Sequence, residues 1–217
     1  MANLHPKKRA ALIVIDVQND FCPHGALPVP GGDAVVPVIN RLTTRFDHVI
    51  FTQDWHVPAH ISFASAHPGH HPFETIAVPG GEQMLWPDHC VQGTEGAAFH
   101  PEVAVDSAEL IVRKGFRRDM DAYSAFFEND KVTPTGLSGY LTDRGLHELY
   151  LSGLATDVCV RHSAIDAARI GFSVHVIADA CRGIDTNGSV RFAWDAMATN
   201  GVVQISAAAV LENGVRE

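Results

Sequence analysis

The chain has 217 residues, 46% hydrophobic and 19% charged, a composition that excludes a disordered protein and suits one globular domain. Its formal net charge of −9 at pH 7 argues against nucleic-acid binding, because phosphate contacts require clustered Lys and Arg. No stretch approaches the ~20 apolar residues of a membrane span and no signal-peptide pattern is found, so we expect a cytoplasmic protein without a membrane partner.

Short apolar runs alternate with helical patterns along the chain. The predicted strands are Ala10–Val17, His48–Gln53, Ala108–Lys114, His147–Leu154, Phe172–Asp179 and Gly201–Ser206. The predicted helices are Asp33–Phe46, 136–146, Val158–Ile170 and Val190–Thr199. Residues 54–107 are rich in Pro, Gly and His without a clear period, and we interpret them as a functional excursion. This order predicts an α/β fold, a three-layer doubly wound sheet of about six mostly parallel strands with helices on both faces.

Three residues of chemical interest follow predicted strands. Asp16 ends the first strand, Lys114 ends the third, and Cys159 follows the fourth at the start of a helix. We expect them to meet, because ligand sites in such sheets form beyond the carboxyl ends of the strands. The helix dipole and Lys114 would then lower the pKa of Cys159, and Asp16 is suited to moving the thiol proton. Taken alone, Cys159 is equally well explained as a small core residue.

A second cluster, Asp54-Trp55-His56, follows the second predicted strand. Residues two apart in an extended segment point to the same side, and a carboxylate with an imidazole suits Zn²⁺ or Fe²⁺. The remaining ligand stays open on this reasoning. The candidates are His60, His67, His70, His71 and His89.

Five stretches together resemble the nicotinamidase/pyrazinamidase family of the isochorismatase-like cysteine hydrolases. They read ALIVIDVQNDFCPHGALPVPGGD, FTQDWHVPAHISFA, WPDHCVQGTEGAAFHPE, VRKGFRRDMDAYSAFF and LSGLATDVCVRHSAIDAARIGF. The order of Asp, Lys and Cys indicates only the superfamily. The pair of DWH and WPDHC is the specific part, because isochorismatases of the same fold typically lack the metal site.

The resemblance implies the roles of the candidate residues. It implies a catalytic triad of Asp16, Lys114 and Cys159. It also implies a non-proline cis peptide bond between Leu154 and Ala155, with the backbone N–H groups of Ala155 and Cys159 forming an oxyanion hole.

The resemblance further implies a divalent metal ion, Zn²⁺ or Fe²⁺ with Mn²⁺ as a third option, bound near the triad. The implied ligands are Asp54, His56 and His89, with His60 as a weaker candidate. Aromatic walls for the substrate ring are implied at Phe21, Trp86 and Tyr123.

The activity that the resemblance implies is that of a nicotinamidase, with one hydrolase domain over residues 1–217. The enzyme would hydrolyse nicotinamide to nicotinate and ammonia through a Cys thioester, a step of NAD salvage, and would also accept pyrazinamide. Alternatives are an N-carbamoyl amidase or an isochorismatase of the same fold, or a non-catalytic protein that kept the pocket. The expected partners are small molecules, and a homo-oligomer and the role of residues 66–83 stay open.

Overall fold

The computed structural model describes residues 9–78 and 81–213, so the predicted domain limits of 1 and 217 lie outside the described residues. Within these ranges, no helix is long and apolar enough to cross a membrane. All four cysteines are free and buried.

Parallel strands form the central sheet of the protein. In chain order, the strands of the described residues are β1 (Ala10–Ile15), β2 (Val49–Asp54), β3 (Thr75–Val78), β4 (Gly81–Met84), β5 (Leu110–Lys114), β6 (Glu148–Leu154), β7 (Ser173–Arg182) and β8 (Val203–Ile205). Six of them form one sheet in the order β5-β2-β1-β6-β7-β8, and every neighbouring pair in it is parallel. β3 and β4 form a separate antiparallel hairpin. The predicted parallel α/β sheet is confirmed.

The strand order creates a topological switch point between β1 and β6. From β1 the chain winds outward through β2 to β5, and from β6 it winds the other way through β7 to β8. Ligand sites in open α/β sheets form in the crevice at such a point, beyond the carboxyl ends of the strands. Asp16 directly follows β1, and Cys159 lies five residues after the end of β6, so these two residues flank the crevice.

Helices cover both faces of the sheet, as predicted. They are α1 (Val36–Thr43), α2 (Leu137–Asp143), α3 (Arg161–Arg169), α4 (Ser189–Thr199) and α5 (Ala207–Asn213). Leu12 and Val14 of β1 belong to a buried cluster with α1 and α5. Ala11, Ile13 and Ile15 belong to the opposite cluster with α2, α3 and α4. Alternate residues of β1 therefore face two separate cores, which explains its unbroken apolar sequence.

Two elements were not predicted, the hairpin β3–β4 and helix α5. Apart from the buried Gln83, the residues of the hairpin are exposed or half-buried, so its strands lack the alternation of apolar and polar residues that predicts a strand. The helical segment predicted for Val158–Ile170 begins two residues earlier, at Thr156, and ends at Arg169. A π-helical turn, Thr156–Val160, precedes α3 and contains Cys159.

We expect Gly153→Ala to destabilise the protein by about 3–5 kcal/mol, because two backbones meet where a Cβ would lie. Gly153 has a φ of 115°, and an added Cβ would lie 2.0 Å from the backbone oxygen of Ile15. Urea denaturation followed by circular dichroism measures the loss. Gly171→Ala is the matched control, since its φ is 101° but no atom lies within 4 Å of the added Cβ. Equal effects of the two substitutions would contradict the steric explanation.

Candidate active site

Lys114 is the centre of a buried cluster of charged groups. Its Nζ lies 2.8 Å from Asp16 Oδ2 and 2.9 Å from Asp54 Oδ1. The same Nζ lies 3.5 Å from Cys159 Sγ. The structure therefore places the three residues of the predicted triad in contact, and it also connects them to the predicted metal ligand Asp54.

Asp16 is held in place by the neighbouring strand. The Thr52 hydroxyl donates to Asp16 Oδ1 at 2.6 Å, and the Asp16 N–H donates to Thr52 Oγ1 at 3.2 Å. The backbone of Asp16 is left-handed, with a φ of 47°, a conformation that Asp tolerates better than most residues. The chain thus turns out of the sheet at Asp16 while one carboxylate oxygen stays directed at Lys114.

The protonation of Cys159 differs from the prediction. Burial raises the pKa of the Cys159 thiol well above its ordinary value and outweighs the lowering by Lys114. Asp16 raises this pKa further, through its charge and through a hydrogen bond with the thiol. Burial also raises the pKa of Asp16, against the opposing effect of Lys114. The prediction of a lowered pKa was wrong, because the burial of the sulfur is not visible in the sequence.

Asp54, His56 and His89 form a buried group with the donor set of a metal site. Each offers one ligand atom, and these atoms lie within 4.8 Å of one another. Nε2 of His56 and Nε2 of His89 lie 3.1 Å and 3.4 Å from Asp54 Oδ2. Two imidazole nitrogens and one carboxylate oxygen suit Zn²⁺ or Fe²⁺.

The backbone contacts of His56 and His89 engage Nδ1 of each imidazole and leave Nε2 directed at the possible metal site. His56 Nδ1 lies 2.9 Å from the Gly115 carbonyl, and His89 Nδ1 lies 2.8 Å from the Pro87 carbonyl. A carbonyl only accepts, so both Nδ1 atoms carry a proton and both Nε2 atoms remain free to ligate. Metal-binding histidines usually donate their second ring N–H in this way. The residues present therefore fit a divalent metal ion.

Gly115 allows the close approach that this arrangement needs. Its φ is 66°, and an added Cβ would lie 2.5 Å from Cε1 of His56. Any side chain at position 115 would therefore displace the imidazole from the carbonyl that orients it. Because Gly115 follows Lys114 directly, the same turn serves the triad and the metal ligands.

His60 lies beside this group with a different hydrogen-bond pattern. Its Nδ1 accepts from the Ser62 N–H at 3.2 Å, which leaves Nε2 as the donor, 3.3 Å from the Met120 carbonyl. His60 forms a second buried group with His56 and Asp121 instead of joining Asp54. Among the described residues, neither group of possible ligands includes the remaining candidates His67, His70 and His71.

The predicted aromatic walls surround the thiol. Phe21, Trp86 and Tyr123 line one chamber together with Cys159. The Tyr123 hydroxyl accepts hydrogen bonds from Trp86 Nε1 at 3.2 Å and from Gln83 Nε2 at 2.9 Å. Burial raises the pKa of Tyr123, so its phenol stays neutral. Because Gln83 belongs to β4, the hairpin supports the Tyr123 wall of the chamber.

The backbone predicted to hold an oxyanion lies at the same chamber. The peptide bond between Leu154 and Ala155 is cis, as the resemblance implied. Ala155 lines the chamber, and in the described part of the chain its N–H donates to no other residue. The N–H groups of Val158 and Val160 donate to the Ala155 carbonyl. The oxyanion role of the Ala155 and Cys159 N–H groups stays a prediction.

Sequence reasoning missed three buried residues that support the site, Gln18, Thr52 and Asp121. The Gln18 amide donates to the Asp54 carbonyl at 2.8 Å and accepts from the Asp54 N–H at 2.7 Å. Asp121 lines the chamber and accepts from Gln83 Nε2 at 3.0 Å. The available signal was position, since Gln18 follows a buried strand and Asp121 precedes Tyr123 by two residues.

Comparison with known proteins places the chain among relatives of similar length. The isochorismatase domain family matches residues 10–209. A nicotinamidase of Acinetobacter baylyi is 54% identical over 201 residues, covering 93% of this chain and 94% of that protein. The structure of an Acinetobacter baumanii nicotinamidase/pyrazinamidase is 51% identical with a TM-score of 0.94, covering 95% of this chain and 100% of that one. A Pyrococcus horikoshii pyrazinamidase in complex with zinc is 35% identical with a TM-score of 0.73, covering 91% and 99%.

We expect His89→Ala to lose bound metal, because it removes one of three convergent ligands. Inductively coupled plasma mass spectrometry of the purified protein measures the metal content. His60→Ala is the matched control and is expected to retain its metal, since the His60 nitrogens are engaged elsewhere. A full metal complement in His89→Ala would show that the ligand set is different.

Lys114→Met is expected to slow the alkylation of Cys159 by iodoacetamide by about tenfold or more, because the ammonium no longer stabilises the thiolate. It also leaves two buried carboxylates without their cation, which costs about 3–5 kcal/mol of stability. Mass spectrometry of the alkylated peptide gives the rate, and urea denaturation gives the stability. The control is Arg113→Met, which removes an exposed cation from the same strand. Unchanged alkylation in Lys114→Met would leave Lys114 with a structural role only.

Proposed function

The chain belongs to the isochorismatase domain family, and we propose how its residues carry out the nicotinamidase reaction. The reaction cleaves the carbon–nitrogen bond of nicotinamide to give nicotinate and ammonia, a step of NAD salvage, and pyrazinamide is a second substrate. The observation that carries the proposal is the buried contact of Lys114 with Asp16, Asp54 and Cys159.

The first step is the transfer of the thiol proton from Cys159 to Asp16. Both groups lie against the Lys114 ammonium, and burial raises the pKa of the Cys159 thiol, so the resting cysteine is neutral. The ammonium, 2.8 Å from Asp16 Oδ2, favours the carboxylate form of Asp16. Lys114, 3.5 Å from the sulfur, stabilises the thiolate as it forms. The ammonium also stays close to Asp16, so the cluster keeps its cation throughout the transfer.

The thiolate then attacks the amide carbon and the C=O bond becomes an oxyanion. The backbone N–H groups of Ala155 and Cys159 hold this oxyanion, and each donor contributes about 3 kcal/mol to lowering the barrier. Asp16 returns its proton to the amide nitrogen, the C–N bond breaks, and ammonia leaves. The acyl group stays on Cys159 as a thioester.

Water completes the cycle through the same residues. Asp16 takes a proton from a water molecule, and the resulting hydroxide attacks the thioester carbon. The second oxyanion collapses, the C–S bond breaks, and the sulfur recovers the proton from Asp16. Nicotinic acid leaves as nicotinate after losing its proton, and the enzyme returns to its starting state.

Orientation of the substrate comes from the walls of the chamber and from the metal ligands. Phe21, Trp86 and Tyr123 hold the aromatic ring. A divalent metal ion held by Asp54, His56 and His89 supplies, when bound, a Lewis acid for the ring nitrogen. We propose Zn²⁺ or Fe²⁺ as this ion, with Mn²⁺ as a third option, and the zinc complex of the Pyrococcus horikoshii relative supports zinc.

We expect Cys159→Ala to lower the rate of ammonia release from nicotinamide by about 10⁴-fold or more, because the nucleophile is lost. A coupled glutamate dehydrogenase assay measures ammonia, and mass spectrometry after acid quenching detects the thioester on the wild-type protein. Cys22→Ala removes another buried thiol, outside the cluster, and is expected to remain active. Wild-type activity in Cys159→Ala would remove Cys159 as the nucleophile. No release by the wild-type protein would favour the N-carbamoyl or isochorismate activity.

A further inference from the structure

A second cavity borders the catalytic chamber on its outer side. The two cavities share four lining residues, Trp86, Tyr123, Val158 and Ile184. The outer cavity, called the vestibule here, has a volume of about 380 Å³, which lies in the range of small-molecule sites. Cys159 and the predicted metal ligands do not line it, and of the three proposed substrate walls it includes Trp86 and Tyr123.

Arg161 brings an unneutralised positive charge to the vestibule. This half-buried side chain lines the cavity, and among the described residues no carboxylate lies within ion-pair distance of it. Its Nη2 donates to His162 Nε2 at 2.9 Å. Burial and the charge of Arg161 lower the pKa of His162 to about 3, so this partner is neutral.

Asp157, a carboxylate that lines the vestibule, accepts hydrogen bonds from groups other than Arg161. Its oxygens accept from the Ile184 N–H at 3.0 Å and from the Asp185 N–H at 2.9 Å, and the Ser189 hydroxyl donates to it as well. Asp157 is near enough to favour the charged form of Arg161, but it makes no ion pair with it. The guanidinium therefore keeps donors for an anion, which it binds in fork geometry.

Part of the vestibule lining is apolar. Phe73 and Met84 of the hairpin region line it and are 49% and 38% exposed. Phe73 packs edge-on against Trp86, with ring centroids 5.9 Å apart. These side chains offer an apolar surface to an aromatic ring in the same cavity that Arg161 lines.

The reaction itself produces such a ligand, because a neutral amide becomes an aromatic carboxylate. The carboxylates of Asp16 and Asp54 lie near the place where it forms, and the chain carries a net charge of −9. We propose that the vestibule is an outer binding site for the aromatic carboxylate product, with Arg161 as its anion-binding residue. This inference rests on the proposed function and gives the hairpin region a role as the wall that receives the departing ring.

Isothermal titration of the metal-loaded wild-type enzyme with nicotinate tests the site. We expect two nicotinate molecules per chain, one in the chamber and one in the vestibule. In Arg161→Met the outer affinity falls by about tenfold or more, because a charged hydrogen bond is lost. Arg161→Lys keeps the charge without the fork and is expected to bind with intermediate affinity. Arg169→Met removes an arginine from the far end of the same helix and is expected to bind like wild type.

The steady-state kinetics of nicotinamide hydrolysis are measured on the same proteins as the titrations. Arg169→Met is expected to keep KM and kcat within about twofold of wild type, and the inner nicotinate affinity is expected to stay unchanged in Arg161→Met, which shows that the catalytic chamber is intact. One nicotinate per chain in the wild type, or unchanged outer affinity in Arg161→Met, would overturn the outer site while leaving the proposed function standing. Absence of ammonia release by the wild type would overturn the proposed function and the outer site with it.

Discussion

The two buried ion pairs of the Lys114 ammonium hold the site together. The ammonium contacts carboxylates from the ends of two other strands, Asp16 after β1 and Asp54 at the end of β2. Burial alone would lower the pKa of Lys114, but the two carboxylates raise it well above its ordinary value. Two buried carboxylates so close together would repel each other without this cation. Lys114 therefore permits the proposed proton-transfer group, Asp16, and the proposed metal ligand, Asp54, to share one buried space.

The two carboxylates that share the Lys114 ammonium, Asp16 and Asp54, differ in the direction of their pKa shifts. Burial raises the pKa of Asp16, which suits a group that takes and returns a proton. Burial would also raise the pKa of Asp54, but His56 and Lys114 outweigh it and hold this pKa well below the ordinary value. Asp54 thus stays ionised, as its proposed role of metal ligand requires. Neighbouring carboxylates differ in function because their surroundings differ.

The ends of the sheet strands position Asp16, Asp54 and Lys114. The long segment between β2 and β5 covers these residues. That segment supplies Trp86 and His89 to the chamber, and its hairpin holds Tyr123 through Gln83. The same hairpin region forms the apolar wall of the vestibule. The parallel sheet therefore provides the base of the site, and the excursion provides walls of the chamber and of the vestibule.

Local sequence patterns are enough to predict the sheet and the residue types at its edge. Continuous apolar runs indicated buried parallel strands, and the strand ends named Asp16, Asp54 and Lys114, because the carboxyl ends of parallel strands meet at one edge. The protonation and hydrogen-bond partners of the site residues follow only from tertiary contacts. The raised pKa of Cys159 depends on burial, and the different hydrogen-bond patterns of His60 and His89 depend on which carbonyls the two imidazoles meet. Such contacts join residues far apart in the chain, and no local pattern of apolar and polar residues records them.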